Sequence, residues 1–222
     1  MKELSIASLF DLDRTIAADI FKGKEFPWEI LPDLKNFILK LGAELPKDEF
    51  DNPSEGVWIH KSAAIFPSAY IAAPCIIDAD AEIRHCAFIR GSVIVGKGAV
   101  VGNSTELKNA ILFDKVQVPH YNYIGDSVLG FKAHCGAGAI TSNVKSDKTN
   151  VTINFAGDKI PTGMRKFGAM IGDNVEIGCG SVLNPGSVVG KCSNVYPLSM
   201  VRGYIPPCSI YKNQNEIVLK NS

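Results

Sequence analysis

Between residues 59 and 118 a bulky apolar side chain recurs at every sixth position: Ile59, Ile65, Ile71, Ile77, Ile83, Ile89, Val95, Val101, Leu107 and Phe113. Four places after each comes a second column: Ala63, Ala69, Cys75, Ala81, Ala87, Val93, Ala99, Thr105, Ile111 and Gln117. An amphipathic helix repeats near 3.6 residues and a half-buried strand near 2, so a strict six belongs to neither. Short repeats of this kind, one bulky and one small residue each, are the signature of a parallel β-helix. The pattern predicts a mainly β fold, a left-handed parallel β-helix shaped as a triangular prism. Three hexads would make one coil of about 18 residues, with the small residue at the corner. A sandwich of alternating strands would instead show turn clusters every 8–12 residues or so and would not hold one phase so long.

Ahead of the ladder, residues 5–21 carry Leu9, Leu12, Ile16 and Ile20 at helical spacing, and residues 27–41 carry Ile30, Leu34, Phe37, Ile38 and Leu41. Pro32 suits a first helical turn, and Lys40 followed by Gly42 reads as a helix end. Residues 1–56 are therefore expected to form a small α-helical cap and linker that covers the open end of the prism or a neighbouring subunit. Phe10-Asp11-Leu12-Asp13-Arg14-Thr15 has the form of a DxDxT phosphatase nucleophile loop. That chemistry needs a preceding buried strand and a whole α/β sheet, so these carboxylates read as helix-face or capping groups.

After Phe113 the next rung would be Pro119; the period resumes at Tyr123, Leu129, Cys135 and Thr141, which implies four inserted residues. From Thr141 the bulky column vanishes until Ile171, then runs through Ile177, Leu183, Val189, Val195 and Val201. Residues 142–170 are expected to be a loop extruded from a prism that spans 57–206, and loops of that size are usually functional or disordered. The tail, 207–222, is expected to leave the prism, with Ile217-Val218-Leu219 pairing elsewhere.

Lysine plus arginine, 23, equals aspartate plus glutamate, 23, so no global field recruits nucleic acid or an anionic membrane. No apolar run is long enough to span a bilayer, and the N-terminus lacks the layout of a secretion signal. Six cysteines (75, 86, 135, 179, 192 and 208) form no CxxC pair. They read as free thiols of a cytoplasmic protein.

Coil geometry places two cations together. Arg90 and Lys108 each follow a bulky rung and lie 18 residues apart. On adjacent coils about 5 Å apart they would repel by roughly 1–3 kcal/mol unless an anion or carboxylate lay between them. His120 lies in the first irregular segment; Tyr123 and Asn143 are expected to share its corner. An imidazole titrates near neutrality, which makes His120 a general-base candidate.

The segments Val101-Gly102-Asn103-Ser104-Thr105-Glu106-Leu107-Lys108, Pro119-His120-Tyr121-Asn122-Tyr123-Ile124-Gly125-Asp126 and Gly136-Ala137-Gly138-Ala139-Ile140-Thr141-Ser142-Asn143 resemble the acetyltransferase half of the bifunctional enzymes that make UDP-N-acetylglucosamine. Thr162-Gly163-Met164-Arg165-Lys166-Phe167-Gly168-Ala169 and Leu183-Asn184-Pro185-Gly186 resemble the C-terminal domain of archaeal-type sugar-1-phosphate nucleotidylyltransferase/acetyltransferases. The resemblance implies acetyl transfer from acetyl-CoA to the amine of an amino-sugar 1-phosphate such as glucosamine 1-phosphate, with no metal. It implies His120 as general base and Arg90, Lys108, Tyr123, Asn143 and His134 (in place of an asparagine) around the sugar phosphate. It places Ala137, Cys179, Pro197 and Arg202 at acetyl-CoA, and CoA in an edge groove between subunits of a homotrimer. Val144 stands where the family has tyrosine, and Lys145 or Lys148 would substitute for a displaced loop lysine. No Gly-rich nucleotidylyltransferase segment is present, so acetyl transfer alone is expected.

Two other classes remain. A scaffold or regulatory subunit would keep the sugar-phosphate pocket and need bind no acetyl-CoA. A zinc hydratase of the γ-carbonic-anhydrase kind would need three histidines on one metal, drawn from His60, His85, His120 and His134.

Overall fold

The structure, a computed structural model, describes residues 1–220. The chain from residue 57 onward is a left-handed parallel β-helix with three faces. On the first face Val57–His60, Cys75–Ile77, Val93–Val95, Ala110–Leu112, Ser127–Leu129, Ala169–Ile171, Ser187–Val189 and Tyr204–Ile205 pair in parallel register. The second face stacks Ala64–Ile65, Glu82–Ile83, Val100–Asn103, Gln117–His120, His134–Cys135, Glu176–Ile177, Asn194–Val195 and Ser209–Asn213. The third stacks Tyr70–Ile71, Phe88–Ile89, Glu106–Leu107, Tyr123–Ile124, Ile140–Thr141, Val182–Leu183 and Met200–Val201. Ile77, Ile83, Ile89, Val95, Val101 and Leu107 point inward and are wholly buried, as the six-residue period requires.

The ladder does not break after Leu107. Val95 pairs with Leu112, Val101 with Val118, Leu107 with Ile124 and Leu112 with Leu129. The inward rungs are thus Leu112, Val118, Ile124 and Leu129, and two steps are five residues long instead of six. At these two corners the chain turns on a single left-handed residue, Asn109 (φ 49°) or Asp126 (φ 48°). Short polar Asn and Asp tolerate that conformation best after glycine, so Glu106–Leu112 and Tyr123–Leu129 each run unbroken around a corner. The expected four-residue insertion is therefore absent. Phe113 and Tyr123 are not rungs, and Gln117 faces solvent.

Of the N-terminal segment, only Phe50–Ser54 covers the open end of the prism, as an antiparallel strand beside Val57–His60, and most of it lies along the first face. Ile76, Ile94, Ile111, Val128, Met170 and Val188, the middle residues of that face, are completely buried beneath it. Phe10 packs 5.2 Å from Phe113, and Trp28 packs 5.9 Å from Phe167. The buried Asp173 carboxylate accepts the N–H groups of Asp11 and Phe131, each at 2.8 Å, and Lys191 lies 2.9 Å away.

The expected helix over 5–21 is broken into Ile6–Leu9, Leu12–Arg14 and Ala18–Phe21. The Asp11 carboxylate accepts the Asp13 N–H and the Thr15 hydroxyl accepts the Ala17 N–H, so local side-chain bonds replace the helical ladder. Asp11 is a cap, in line with the reading of the DxDxT segment. The second helix runs Leu34–Glu44, with Pro32 ahead of it and Gly42 inside it. Gly42 is there for close approach: a Cβ would lie 2.3 Å from the Trp58 ring.

Residues 142–168 leave the prism, a shorter excursion than the expected 142–170 because Ala169–Ile171 is already a strand of the first face, and they carry a hairpin, Thr152–Phe155 with Asp158–Pro161. Phe155 packs on Tyr204 at 5.2 Å, which fixes the hairpin to the edge of the coils. The chain returns at Gly168, whose N–H donates to the Asp126 carbonyl at 2.8 Å; a Cβ there would stand 2.1 Å from the Gly125 carbonyl. The tail does not leave the prism at 207. Ser209–Asn213 adds a strand to the second face, and Glu216–Leu219 folds back antiparallel along it.

Candidate active site

The third face carries the candidate residues along both of its edges. At the edge it shares with the first face, Arg90, Lys108 and Asp126 occupy successive coils, with Asn143 at the mouth of the long loop. Each cation has a carboxylate partner. Arg90 Nη1 lies 2.7 Å from Glu106, and Lys108 Nζ lies 2.9 Å and 3.0 Å from the two oxygens of Asp126. Asp126, only 3% exposed, also accepts from Asn109 Nδ2 at 2.9 Å and from Asn143 Nδ2.

Tyr123 stands beside this cluster, its ring over Gly125, where an added Cβ would meet the hydroxyl at 2.6 Å. Burial, followed by the charges of Asp126 and Glu106, pushes its phenol above the ordinary value; the Asn143 hydrogen bond and Arg90 pull the other way. Arg90, Lys108, Tyr123 and Asn143 are thus brought together, and the repulsion expected between the two cations is answered by two carboxylates.

The opposite edge of the same face carries His120. Four backbone bonds mark successive corners there: Tyr121 N–H to the Asn103 carbonyl, Gly138 N–H to His120, Gly180 N–H to Ala137 and Leu198 N–H to Cys179. His120, Ala137, Cys179 and Pro197 consequently form one column, all four solvent-exposed. The His120 corner is held from below by the buried Asn122. Its Oδ1 accepts the His120 N–H at 3.1 Å, and its Nδ2 donates to the carbonyls of Gly136 (2.8 Å) and Ala139 (3.2 Å). The Ala137 N–H makes no hydrogen bond among the described residues.

Three expectations are corrected. His120 and Asn143 do not share a corner, because Asn143 follows its strand and His120 precedes one; the two sit at opposite edges of the third face. His134 lies on the second face with its Nδ1 2.7 Å from Glu176 Oε2, away from the sugar-phosphate candidates. Arg202 is not in the column of Ala137, Cys179 and Pro197. It lines a cleft of about 470 Å³ at the other edge, with Ser142, Val144, Lys145, Asn154, Lys159 and Asn184. The histidines are dispersed: His60 bonds Ser62 and His85 bonds Ser68. No group of three potential metal ligands occurs among the described residues of one chain.

Asp126 and Asn122 were not singled out from the sequence, whereas a carboxylate beside the two cations was expected and is Glu106. The 18-residue period that stacks Arg90 and Lys108 does not reach Asp126, because the next coil has 17 residues and pairs Lys108 with Gly125.

Comparison with known proteins places this geometry in context. Residues 71–160 match the family model described as the GMPPB C-terminal domain. The chain is 36% identical over 140 residues to the Bifunctional protein GlmU of Methanococcus vannielii, covering 63% of this chain and 34% of that protein. It is 32% identical over 145 residues to a bifunctional sugar-1-phosphate nucleotidylyltransferase/acetyltransferase of Sulfurisphaera tokodaii, covering 65% and 36%. The chain thus spans about a third of the length of each of these relatives. Among solved structures, the acetyltransferase domain of PglB from Neisseria gonorrhoeae in complex with acetyl coenzyme A aligns with a TM-score of 0.34 and 17% identity, over 74% of this chain and 58% of that one. No helix among the described residues is long and apolar enough to cross a membrane.

Proposed function

We propose, from the premise that this β-helix is a GlmU-like, sugar-1-phosphate acetyltransferase-like domain, that the protein is an acyltransferase moving an acetyl group from acetyl-CoA to the amine of an amino-sugar 1-phosphate. The observation that carries this reading is the third face. One of its edges stacks His120, Ala137, Cys179 and Pro197, and the other gathers Arg90, Lys108, Tyr123 and Asn143 around Asp126. Gly125 lies five positions after His120, so the two edges are at most about 16 Å apart along the chain.

The chemistry follows from the groups present. The acceptor ammonium first releases one proton to solvent; as the free amine then attacks the thioester carbonyl, the exposed His120 imidazole takes the second proton from its nitrogen. The free N–H of Ala137, one coil beyond, donates to the oxyanion that forms on the thioester carbonyl. The proton on His120 then passes to the departing thiolate, giving free CoA. The pantetheine arm would run along the exposed column toward Cys179 and Pro197. Tyr70, Phe88, Ile140, Tyr196, Leu198 and Met200 make an exposed apolar strip along this face and its His120 edge. A strip of that kind supports association with further copies of the chain as a homotrimer, the copies flanking the edge groove.

Mixing the protein with acetyl-CoA and glucosamine 1-phosphate, and following free thiol, tests the reading; a panel of amino-sugar phosphates defines the acceptor. The expected result is thiol release that falls about 100-fold or more in His120→Ala. No release with any amino-sugar phosphate sinks the assignment. Full rate in His120→Ala removes the role given to that residue.

A further inference from the structure

The coils at the C-terminal end carry a pair of thiols that acetyl transfer does not use. Val189 pairs with Ile205 and Val195 with Tyr211. Cys192 and Cys208 each fall three residues after the first pairing and three before the second, so they face each other at the corner between. The backbone shows the same stacking: the Cys192 N–H donates to the Asp173 carbonyl and the Cys208 N–H to the Lys191 carbonyl, both at 2.8 Å. Both residues are left-handed, with φ 59° and 51°, so their Cβ atoms leave the backbone in the same direction one coil apart. Coils are spaced by about 5 Å, within the roughly 4.4–6.8 Å between Cα atoms that a disulfide spans. Both thiols are free; Cys208 is exposed and Cys192 half-buried. Burial, then the adjacent Cys208, raises the Cys192 thiol above its ordinary value, and the Lys220 ammonium opposes the rise. Lys220 also ties the tail to both corners, its N–H donating to the Cys208 carbonyl at 2.7 Å and its ammonium to the Cys192 carbonyl.

We propose that Cys192 and Cys208 form a redox modification site, a dithiol that a low-molecular-weight disulfide such as oxidised glutathione converts into a disulfide stapling the last two coils. This holds whether or not the protein transfers acetyl groups. The exposed Cys208 thiolate attacks one sulfur of the oxidant and expels the first glutathione thiolate, leaving a mixed disulfide on Cys208. The Cys192 thiolate then attacks the Cys208 sulfur and expels the second. The oxidant takes two electrons from the two cysteines and, with the two protons they shed, departs as two thiols. The ring closed in this way runs from 192 to 208. It contains Pro197 and Met200–Val201, which pairs with Val182–Leu183 on one side and ends the third face. A coil with a neighbour on one side only is the first to open, so the staple acts where a β-helix is weakest.

The test treats the full chain with oxidised glutathione at about pH 8 and follows non-reducing peptide maps and thermal melting. Expected is a linked peptide containing Cys192 and Cys208, with glutathione retained only on Cys86 and Cys179, which lie on another edge and on distant coils. In Cys192→Ser the second step has no thiol, so Cys208 should keep its glutathione. The treated parent should melt about 5–10 °C above Cys192→Ser treated alike, and dithiothreitol should abolish the difference. A parent that retains glutathione on Cys208, or links Cys208 to any cysteine but Cys192, overturns the proposal. A Cys192–Cys208 disulfide that leaves Tm unmoved overturns the staple. The maps are read on the parent, so they decide the pairing even where the variant fails to fold.

Discussion

Lys108 and Asp126 meet across adjacent coils with Nζ 2.9 Å and 3.0 Å from the two carboxylate oxygens, and the acid is much the more buried partner, 4% against 24% exposed. Asp126 also accepts from Asn109 and Asn143, so one carboxylate ties two coils to the base of the long loop. Removing it strands a half-buried cation and two amides. Asp126→Ala should lower stability by about 2–4 kcal/mol in urea melts and abolish activity. Asp126→Asn, which tolerates the left-handed turn and keeps one acceptor, should lose less than half of that stability. Equal losses in the two variants would show that the charge, which both lack, and not the backbone conformation, which only alanine disturbs, matters at this corner.

Asn122 is expected to act through His120. Its carboxamide is buried and spans the His120 N–H and the carbonyls of Gly136 and Ala139. Asn122→Ala leaves the His120 N–H without its partner and should cost about 1–3 kcal/mol. A corner that drifts by about 1 Å is enough to lower kcat some 100-fold, with KM for the acceptor unchanged because the opposite edge is intact. A rise in KM at constant kcat would contradict this positioning role.

Much of this arrangement was legible in the chain. An inward rung must be apolar on every coil, so the period of six, the long loop and the stacking of Arg90 over Lys108 could all be read directly. The two five-residue steps were hidden by residues that are apolar for other reasons. Phe113 is apolar because it lies under Phe10 and Phe21, and Tyr123 because it serves the candidate site. Each mimicked a rung one place out of phase. The position of the N-terminal segment had a signal that periodicity alone does not weigh. Cys75-Ile76-Ile77, Val93-Ile94-Val95 and Ala110-Ile111-Leu112 are apolar at all three places, as strands covered on both faces must be. His134 immediately precedes a rung, as Gln117 and Glu176 do, which assigns it to the middle of the second face. The coil phase outranks a motif match there.

The cysteines should separate into kinetic classes. Cys86, Cys179 and Cys208 are exposed, whereas Cys75 and Cys135 are buried. Burial, with a smaller contribution from Glu176, pushes the Cys135 thiol up to about 12, and burial alone pushes Cys75 higher still. The thiolate is the reactive species, so a maleimide at pH 8 should label three cysteines quickly, Cys192 slowly, and Cys75 and Cys135 only after unfolding. Acetyl-CoA should protect Cys179 selectively, since that thiol lies in the column proposed for the pantetheine arm. Peptide mapping that finds Cys179 labelled at the same rate with saturating acetyl-CoA would remove it from the binding groove.

Tyr123 provides a pH signature of the site. Its phenol is held above the ordinary value first by burial and then by Asp126 and Glu106. Raising an acid's pKa on folding means that the folded chain binds the proton more tightly than the unfolded one. The associated stabilisation is fully present below the unfolded value, near 10, and is lost as pH rises through the higher folded value. Tyr204 and Tyr211 are raised too, each chiefly by burial. Ultraviolet titration of the native protein should therefore show a late-ionising class of phenols, and Tyr123→Phe should remove one member of it. The urea stability of Tyr123→Phe should also fall less steeply above pH 10 than that of the parent. Asp126→Asn deletes one of the two charges that raise the phenol, so it should move the Tyr123 step to lower pH; an unmoved step would mean that Asp126 does not sense the Tyr123 hydroxyl.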